Sequence, residues 1–342
     1  MAEDARSTKR RRVSSRHKTI VLDSSTQANG QEKLARSADF WLDDGNLILL
    51  AGETAFRVYK GILTKNSGVF ADMFAAGSAD ATESFDGCPV VRLSDDPEDL
   101  GDFLQHLMLC SPPRVRDDGL PLSYFSNLQA AIHLAHKYQC PDVEKQALAV
   151  LKTYYTAFFA DHASYDASRS PLSEPLRAAA IAAVNIARLT DTRSMLPFAL
   201  YQVCTLEGQI LDGYERRDGS VEHLSGQDLR LCLDARSALA REKANLLKAV
   251  TFMPDRRSGC EWDWKCTDAR RNVNEAARSD MLGDCDVLDA HSGAIEAWAE
   301  NFGVCSVCKR EMLQREDEEQ RRVWMLLPDM FGLTVEDCGF TE

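Results

Sequence analysis

"DDGNLILLAGETAFRVYKGILTKNSGVFADMF", residues 43–74, sets two apolar runs on either side of a turn and follows them with a helical pattern. Leu47-Ile48-Leu49-Leu50 is too short for a helix, is apolar on both faces and is bounded by Gly45 and Gly52. That combination reads as a buried strand. Ala51-Gly52-Glu53-Thr54 is a turn in which Gly52 is free to take positive φ. Ala55 to Tyr59 returns as an alternating strand, with Phe56 and Val58 on one face and Arg57 and Tyr59 on the other. A two-stranded hairpin is marginal alone, so helices must cover its apolar side. Ile62, Leu63, Val69, Phe70, Met73 and Phe74 recur at helical spacing across a break at Ser67-Gly68, which predicts two short helices set at an angle.

Further along, Pro89 to Leu93 reads as a third strand. Asp95-Asp96-Pro97 opens a helix, with an aspartate as N-cap and proline near the first turn. Leu100, Phe103, Leu104, Leu107 and Met108 form its stripe, Pro112-Pro113 stops it, and 114–120 reads as loop. A helix over 122–138 buries Leu128, Ala131, Ile132 and Ala135, and Pro141 opens another carrying Val143, Ala147, Val150 and Leu151. Strand, strand, two helices, strand, three helices is an α+β plan, a small sheet capped by helices.

From Tyr154 onward strand signals vanish, and an all-α domain is expected over 157–342. Ser173 and Pro175 open a helix with Leu176, Ala180, Ala183, Val184 and Ala187 on one stripe; Ser194 caps another into Met195–Leu206. Gly208 to His223 reads as loop. Ser225 with Asp228 resembles a capping box, leading into a long helix that buries Leu229, Leu233, Leu239, Leu246, Leu247 and Val250. Glu311 to Arg322 is a solvated helix with i,i+4 pairs Glu311–Arg315, Asp317–Arg321 and Glu318–Arg322. Val323 to Leu333 is an apolar end that docks back, its path bent at Pro328.

The 342 residues suggest about two domains at ~150 residues each. Hydrophobic residues at 44% and charged ones at 27% allow a real core. A formal net charge of −13 argues against direct nucleic-acid binding, which needs a basic surface. No apolar run approaches the ~20 residues that span a bilayer, and the charged start does not read as a secretory signal. The expected location is therefore the nucleus and/or the cytoplasm. There the eleven cysteines are thiols or metal ligands rather than disulfides.

Residues 1–37 read as a disordered basic tail. The block Lys9-Arg10-Arg11-Arg12 is either a nuclear import signal or a solubilising tail. Thr19-Ile20-Val21-Leu22 is either an added strand for a partner's sheet edge or an incidental apolar patch.

Inorganic chemistry has one candidate location, Cys260-x5-Cys266 followed by Cys305-x2-Cys308. A CxxC pair brings two thiolates to one zinc from a single turn, and two more complete a tetrahedron. The alternative is separate buried thiols; Cys285 or His291 is a candidate replacement ligand. Four protein ligands leave no position for water, so such a zinc closes the fold and does not catalyse. His133 and His136 lie at i,i+3 on one helix, a spacing for metal or for ordinary packing. No phosphate loop, nucleophile elbow, zincin or kinase signature is present, and no catalytic residue is assigned.

Three stretches in order, "GETAFRVYKGILTKNSGVFADMF" (52–74), "PVVRLSDDPEDLGDFLQHLM" (89–108) and "LQAAIHLAHKYQCPDVEKQAL" (128–148), resemble the BTB/POZ domains, in the form abundant in fungi. The resemblance covers about residues 38–156. Two positions depart from it: Tyr59-Lys60 stands where the family often has His-Arg, and Leu109-Cys110-Ser111 where Tyr-Thr-Gly is common. The resemblance implies a BTB/POZ fold followed by a helical region, and a non-enzymatic protein–protein interaction module. It implies a homodimer and an adaptor, in its more specific version a substrate receptor for a cullin-type ubiquitin ligase, in which Asp99, Asp102, Gln105, His106 and Leu109 face the cullin scaffold. The resemblance also implies a cysteine pair and a later CxxC in this tail, as in similar fungal BTB proteins. The other reading is a nuclear scaffold that assembles chromatin or transcription factors.

Overall fold

The computed structural model describes residues 34–76, 84–108, 124–165, 177–251, 260, 263–281 and 284–341. The expectations for Lys9–Arg12, Thr19–Leu22, Leu109, the 112–120 stop and loop, and the Ser173-Pro175 helix start lie outside these residues. The chain is mixed α+β and divides into two compact units: Met1–Ser111 with Tyr138–Cys140, and Pro112–Lys137 with Pro141–Glu342. Among the described residues, no helix is long and apolar enough to cross a membrane.

In the first unit a five-stranded sheet has the order β1-β3-β2-β5-β4, with β1 Ala35–Trp41, β2 Leu47–Ala51, β3 Thr54–Val58, β4 Ser84–Phe85 and β5 Cys88–Leu93. The expected hairpin forms, β2 antiparallel to β3 with Leu49 opposite Phe56 and Leu50 opposite Ala55, and Gly52 in its turn at φ 53°. β5 joins β2 in parallel, Leu49 opposite Val91. Why β2 is apolar on both faces is now visible. Leu47 and Leu49 share a face with Phe56, which lies under the helix at Gly101. Ile48 and Leu50 point the other way, into a second small core of Ala55 and Cys88 covered by Leu34, Trp41, Phe85 and Val90. Trp41 of β1 and Phe85 of β4 meet edge-to-face at 6.2 Å although their strands stand at opposite ends of the sheet order. The sheet therefore curls.

Strand β1 has no counterpart in the sequence-based expectation. Its ARSADFW run alternates poorly, and it pairs in parallel with β3 through a register irregularity between Arg36 and Trp41. What holds its end is side-chain chemistry: the Arg36 guanidinium lies 4.4 Å over the Trp41 ring.

The two expected short helices are α1 Lys60–Asn66 and α2 Gly68–Ala75. Ser67 separates them, its Oγ accepting from the Phe70 N–H at 3.0 Å and donating to the Tyr138 carbonyl. Tyr138 stacks on Phe70 at 4.6 Å and its hydroxyl donates to Asp95. α3, Pro97–Met108, begins as expected, with the Asp96 carboxylate accepting from the Glu98 and Asp99 N–H groups at 2.8 and 3.1 Å.

The second unit is helical: α4 Phe125–Lys137, α5 Pro141–Leu151, α6 Phe159–Ala163, α7 Ala179–Leu189, α8 Leu196–Cys204, α9 Gly226–Thr251, α10 Asp263–Met281, α11 Ser292–Phe302, α12 Ser306–Met330 and α13 Val335–Cys338. The sequence places α4 and α5 with the front module. In the structure Leu128, Ala131, Ile132, Ala147 and Leu151 belong to the continuous core of the second unit. That core includes the whole of the small-residue run Ala179 to Val184.

Several local expectations change. Within the stretch read as loop, Tyr214–Glu215 (β6) and Val221–Glu222 (β7) pair as a hairpin. Its anchor is Glu222, whose carboxylate accepts from Gln129 at 2.8 Å, Arg216 at 2.9 Å and Asn185 at 3.4 Å. Of these partners Gln129 and Asn185 are long-range and carry no local sequence signal. Ser194 makes no cap; a 3-10 turn over Arg193–Met195 leads into α8, which has Pro197 in its first turn. Ser225 does cap, accepting from the Asp228 N–H at 3.0 Å, while the Asp228 carboxylate is taken by the Ser225 hydroxyl and Arg188. Leu233 is 49% exposed rather than buried, because α9 turns that face outward. Glu311–Arg315 and Asp317–Arg321 pair as expected, but Arg322 bonds Glu319 and Glu242, and Glu318 accepts from Gln314 instead.

The apolar end does dock. Trp324 is fully buried among Phe159, His162, Phe198 and Phe340, stacked on Phe340 at 4.9 Å and on His162 at 5.0 Å. Burial pushes the His162 imidazole pKa down from its ordinary 6.5 to about 4, against a smaller opposing pull from the Leu288 backbone. Because the folded pKa is depressed, the unfolded chain takes up a proton that the folded one refuses as pH falls from about 6.5 to about 4. Stability therefore drops through that window, by about 3 kcal/mol for a shift of this size. Urea titrations at pH 7 and pH 4.5 should show this loss shrinking in His162→Phe. An unchanged pH slope in the variant would assign the acid sensitivity to another group.

Candidate metal centre

The turn that creates the CxxC is set by α11's end. Gly303 takes φ 73°, and the Val304 N–H reaches back to the Ala299 carbonyl at 2.8 Å, a left-handed helix stop that only glycine enters without strain. Cys305 follows as N-cap of α12 and Cys308 sits one turn later on the same face. Cys266 lies in the first turn of α10, and Cys260 shortly before that helix.

These four come together. Their sulfurs all lie within 4.8 Å of one another, with Cys308 Sγ 3.6 Å and Cys305 Sγ 3.9 Å from Cys260 Sγ. Sulfurs at ~2.3 Å from one central ion stand about 3.8 Å apart along each tetrahedral edge, which the two sulfur pairs match. None of the four is in a disulfide. The Cys305 N–H donates to Cys266 Sγ at 3.4 Å, a backbone contact that orients a ligand sulfur and that no side-chain pattern announces. Cys266, Cys305 and Cys308 are buried, and Cys260 is partly exposed.

Burial pushes the Cys266 thiol up to about 11 and moves the Cys308 thiol upward as well. Without a cation those two thiols therefore stay protonated near neutral pH. The N-terminus of α12 works the other way, its dipole favouring negative sulfur at Cys305 and Cys308. A divalent ion gathers the opposing terms: it takes the thiolates and releases their protons. The cluster can hold a metal ion. Among the described residues no other set of three or more cysteine, histidine or carboxylate ligand atoms is gathered in this way.

The replacement ligands considered from sequence are engaged elsewhere. Cys285 Sγ donates to the Cys204 carbonyl at 3.2 Å, and His291 lies against Glu316, its backbone N–H donating to that carboxylate at 2.6 Å and its ring Nδ1 standing 3.3 Å from it. His133 Nδ1 faces Arg216 at 3.1 Å and His136 Nδ1 faces Glu144 at 3.0 Å, so the two do not converge.

On α3 the structure places Asp102 in the interior and leaves Asp99, Gln105 and His106 half-buried. Burial lowers the His106 pKa, with Asp102 pulling in the opposite direction. No protein-family model matches the chain, and no curated protein matches it.

Proposed function

We propose that the chain is a non-enzymatic adaptor: a BTB-type front module for protein contacts, followed by a helical unit closed by one structural zinc at Cys260, Cys266, Cys305 and Cys308. The observation that carries this is the four-sulfur cluster, in which the protein supplies every ligand of a tetrahedron and buries three of them. Zinc so enclosed has no open position for substrate or water, so its contribution is to folding. The ion would tie Cys260 and the start of α10 to the start of α12, joining segments that have little else in common in sequence.

The adaptor part is supported by the first unit, in which the expected β2, β3, α1, α2, β5 and α3 occur in the order the BTB resemblance implies, with β1 and β4 added to the sheet. In this reading the module homodimerises and docks a protein partner, a cullin scaffold being the specific version. Asp99, Gln105 and His106 offer only partial exposure for that contact, and Asp102 serves the interior. Native purification of the full-length chain followed by mass spectrometry should recover a second copy and a stable protein partner. A chain that runs as a monomer and repeatedly emerges alone would refute the adaptor reading.

The basic block Lys9–Arg12 favours a second reading, a nuclear regulatory scaffold. Deleting residues 6–18 should then move a tagged chain out of the nucleus. A full-length chain that never enters the nucleus defeats that version alone.

A further inference from the structure

We infer that Cys260 is an oxidation site through which a peroxide opens the four-cysteine centre, with Cys308 as the thiol that completes a disulfide. This rests on zinc occupying the centre as proposed above. Three geometric facts single out the pair. Cys260 is the one member of the set that is partly exposed, the other three being buried. It lies outside any helix, whereas Cys266 and Cys308 are fixed in α10 and α12 and Cys305 is the α12 N-cap. Cys308 Sγ stands 3.6 Å from its sulfur, closer than Cys305 Sγ at 3.9 Å.

The chemistry balances with a hydroperoxide as oxidant. The Cys260 thiolate attacks one peroxide oxygen and the O–O bond breaks; for hydrogen peroxide, hydroxide leaves and takes up a proton to become water. Cys260 is then a sulfenic acid. The Cys308 thiolate attacks that sulfur, an S–S bond forms, and the second oxygen leaves as hydroxide and is protonated to water. Two sulfurs are each oxidised by one electron, and the two peroxide oxygens are reduced to water with two protons from solvent. Closing from 3.6 Å to a bonded distance of about 2.05 Å needs a small movement, and Cys260 is the partner free of helical restraint. Two ligands are removed, Cys266 and Cys305 alone do not hold the ion, and zinc leaves. A dithiol reductant reverses the step by thiol–disulfide exchange.

The full-length chain is first assayed for zinc by elemental analysis and then exposed to hydrogen peroxide. Zinc release is followed with a chromogenic chelator, and disulfides are mapped by mass spectrometry after blocking free thiols. Cys260→His is the variant, because histidine nitrogen remains a zinc ligand but offers no sulfur to oxidise. Zinc release from the parent with a Cys260–Cys308 crosslink is expected, along with release about ten-fold slower from the variant, where only buried thiols remain. Peroxide-driven release with a disulfide that omits Cys260 overturns the inference even if the variant does not fold. So does release from a zinc-loaded variant at the parent rate. A carefully prepared parent chain with no zinc overturns the metal reading as well, and the first assay alone separates that result from the other two.

Discussion

With zinc in the four-cysteine centre as proposed, Cys305→Ser should leave the purified chain without one equivalent of zinc and lower the unfolding temperature of the second unit by more than ~10 °C. A structural zinc can contribute on the order of 10 kcal/mol to folding. The substitution removes one of four ligands and puts a weak oxygen donor at the N-cap of α12, where sulfur stands 3.9 Å from Cys260 Sγ. Serine is a good N-cap, so helix initiation survives the change and the loss reports the metal. Cys285→Ser is the matched control, since that thiol is buried but hydrogen-bonded to the Cys204 carbonyl, away from the four. It should retain zinc. Chelator added to the parent chain should reproduce the Cys305→Ser melting curve. Metal affinity should also weaken as pH falls, because burial raises the Cys266 and Cys308 thiols and protons compete with the ion for sulfur. A parent chain that melts identically with and without chelator would leave the four sulfurs as packed thiols.

How much of this was legible beforehand depends on the range of the interaction involved. Local signals worked. The length and flanking glycines of Leu47–Leu50, the Ser67 break and the Asp96 cap each act within a few residues, and each appears where the sequence placed it. The α+β character followed from their order. The four cysteines were found by ligand chemistry and spacing, even though 38 residues separate Cys266 from Cys305, because no other residue type makes that pattern. What failed to show was tertiary. β1 is held by Arg36 over Trp41 and by pairing with β3, neither visible in its weak alternation. The β6–β7 hairpin depends on Gln129 and Asn185, dozens of residues away. Assigning α4 to its unit required knowing that Leu128 and Ala131 join the core to which α7 belongs, and an apolar stripe does not name its partner. Arg322 had two acidic neighbours within helical reach and a third on α9. The structure chooses Glu319 and Glu242.

Trp324→Ala should cost about 3–5 kcal/mol, the range for deleting a buried large aromatic, while Trp324→Phe should cost less than ~1.5 kcal/mol. The indole is fully buried and meets four rings: Phe159 edge-on at 5.8 Å, His162 and Phe340 in stacks, and Phe198 at 5.3 Å. Alanine leaves a cavity among them and releases Phe340, which anchors the segment whose Thr341 N–H donates to the Ala157 carbonyl at 3.0 Å. Phenylalanine keeps most of the ring contact. It also removes the indole Nε1–H, which has no hydrogen-bond partner among the described residues, and relieving a buried orphan donor offsets part of the lost area. Equilibrium urea unfolding of both variants tests the contrast. A phenylalanine variant as unstable as the alanine one would show that the indole N–H has an acceptor. The same pair of variants also probes whether the metal centre and the aromatic core are independent. Cys305 and Trp324 lie at the start and near the far end of α12, about 28 Å apart at 1.5 Å per residue. Sites so separated should contribute additively. Trp324→Ala should therefore keep one equivalent of zinc while losing stability, and zinc loss in that variant would mean that α12 transmits damage along its length.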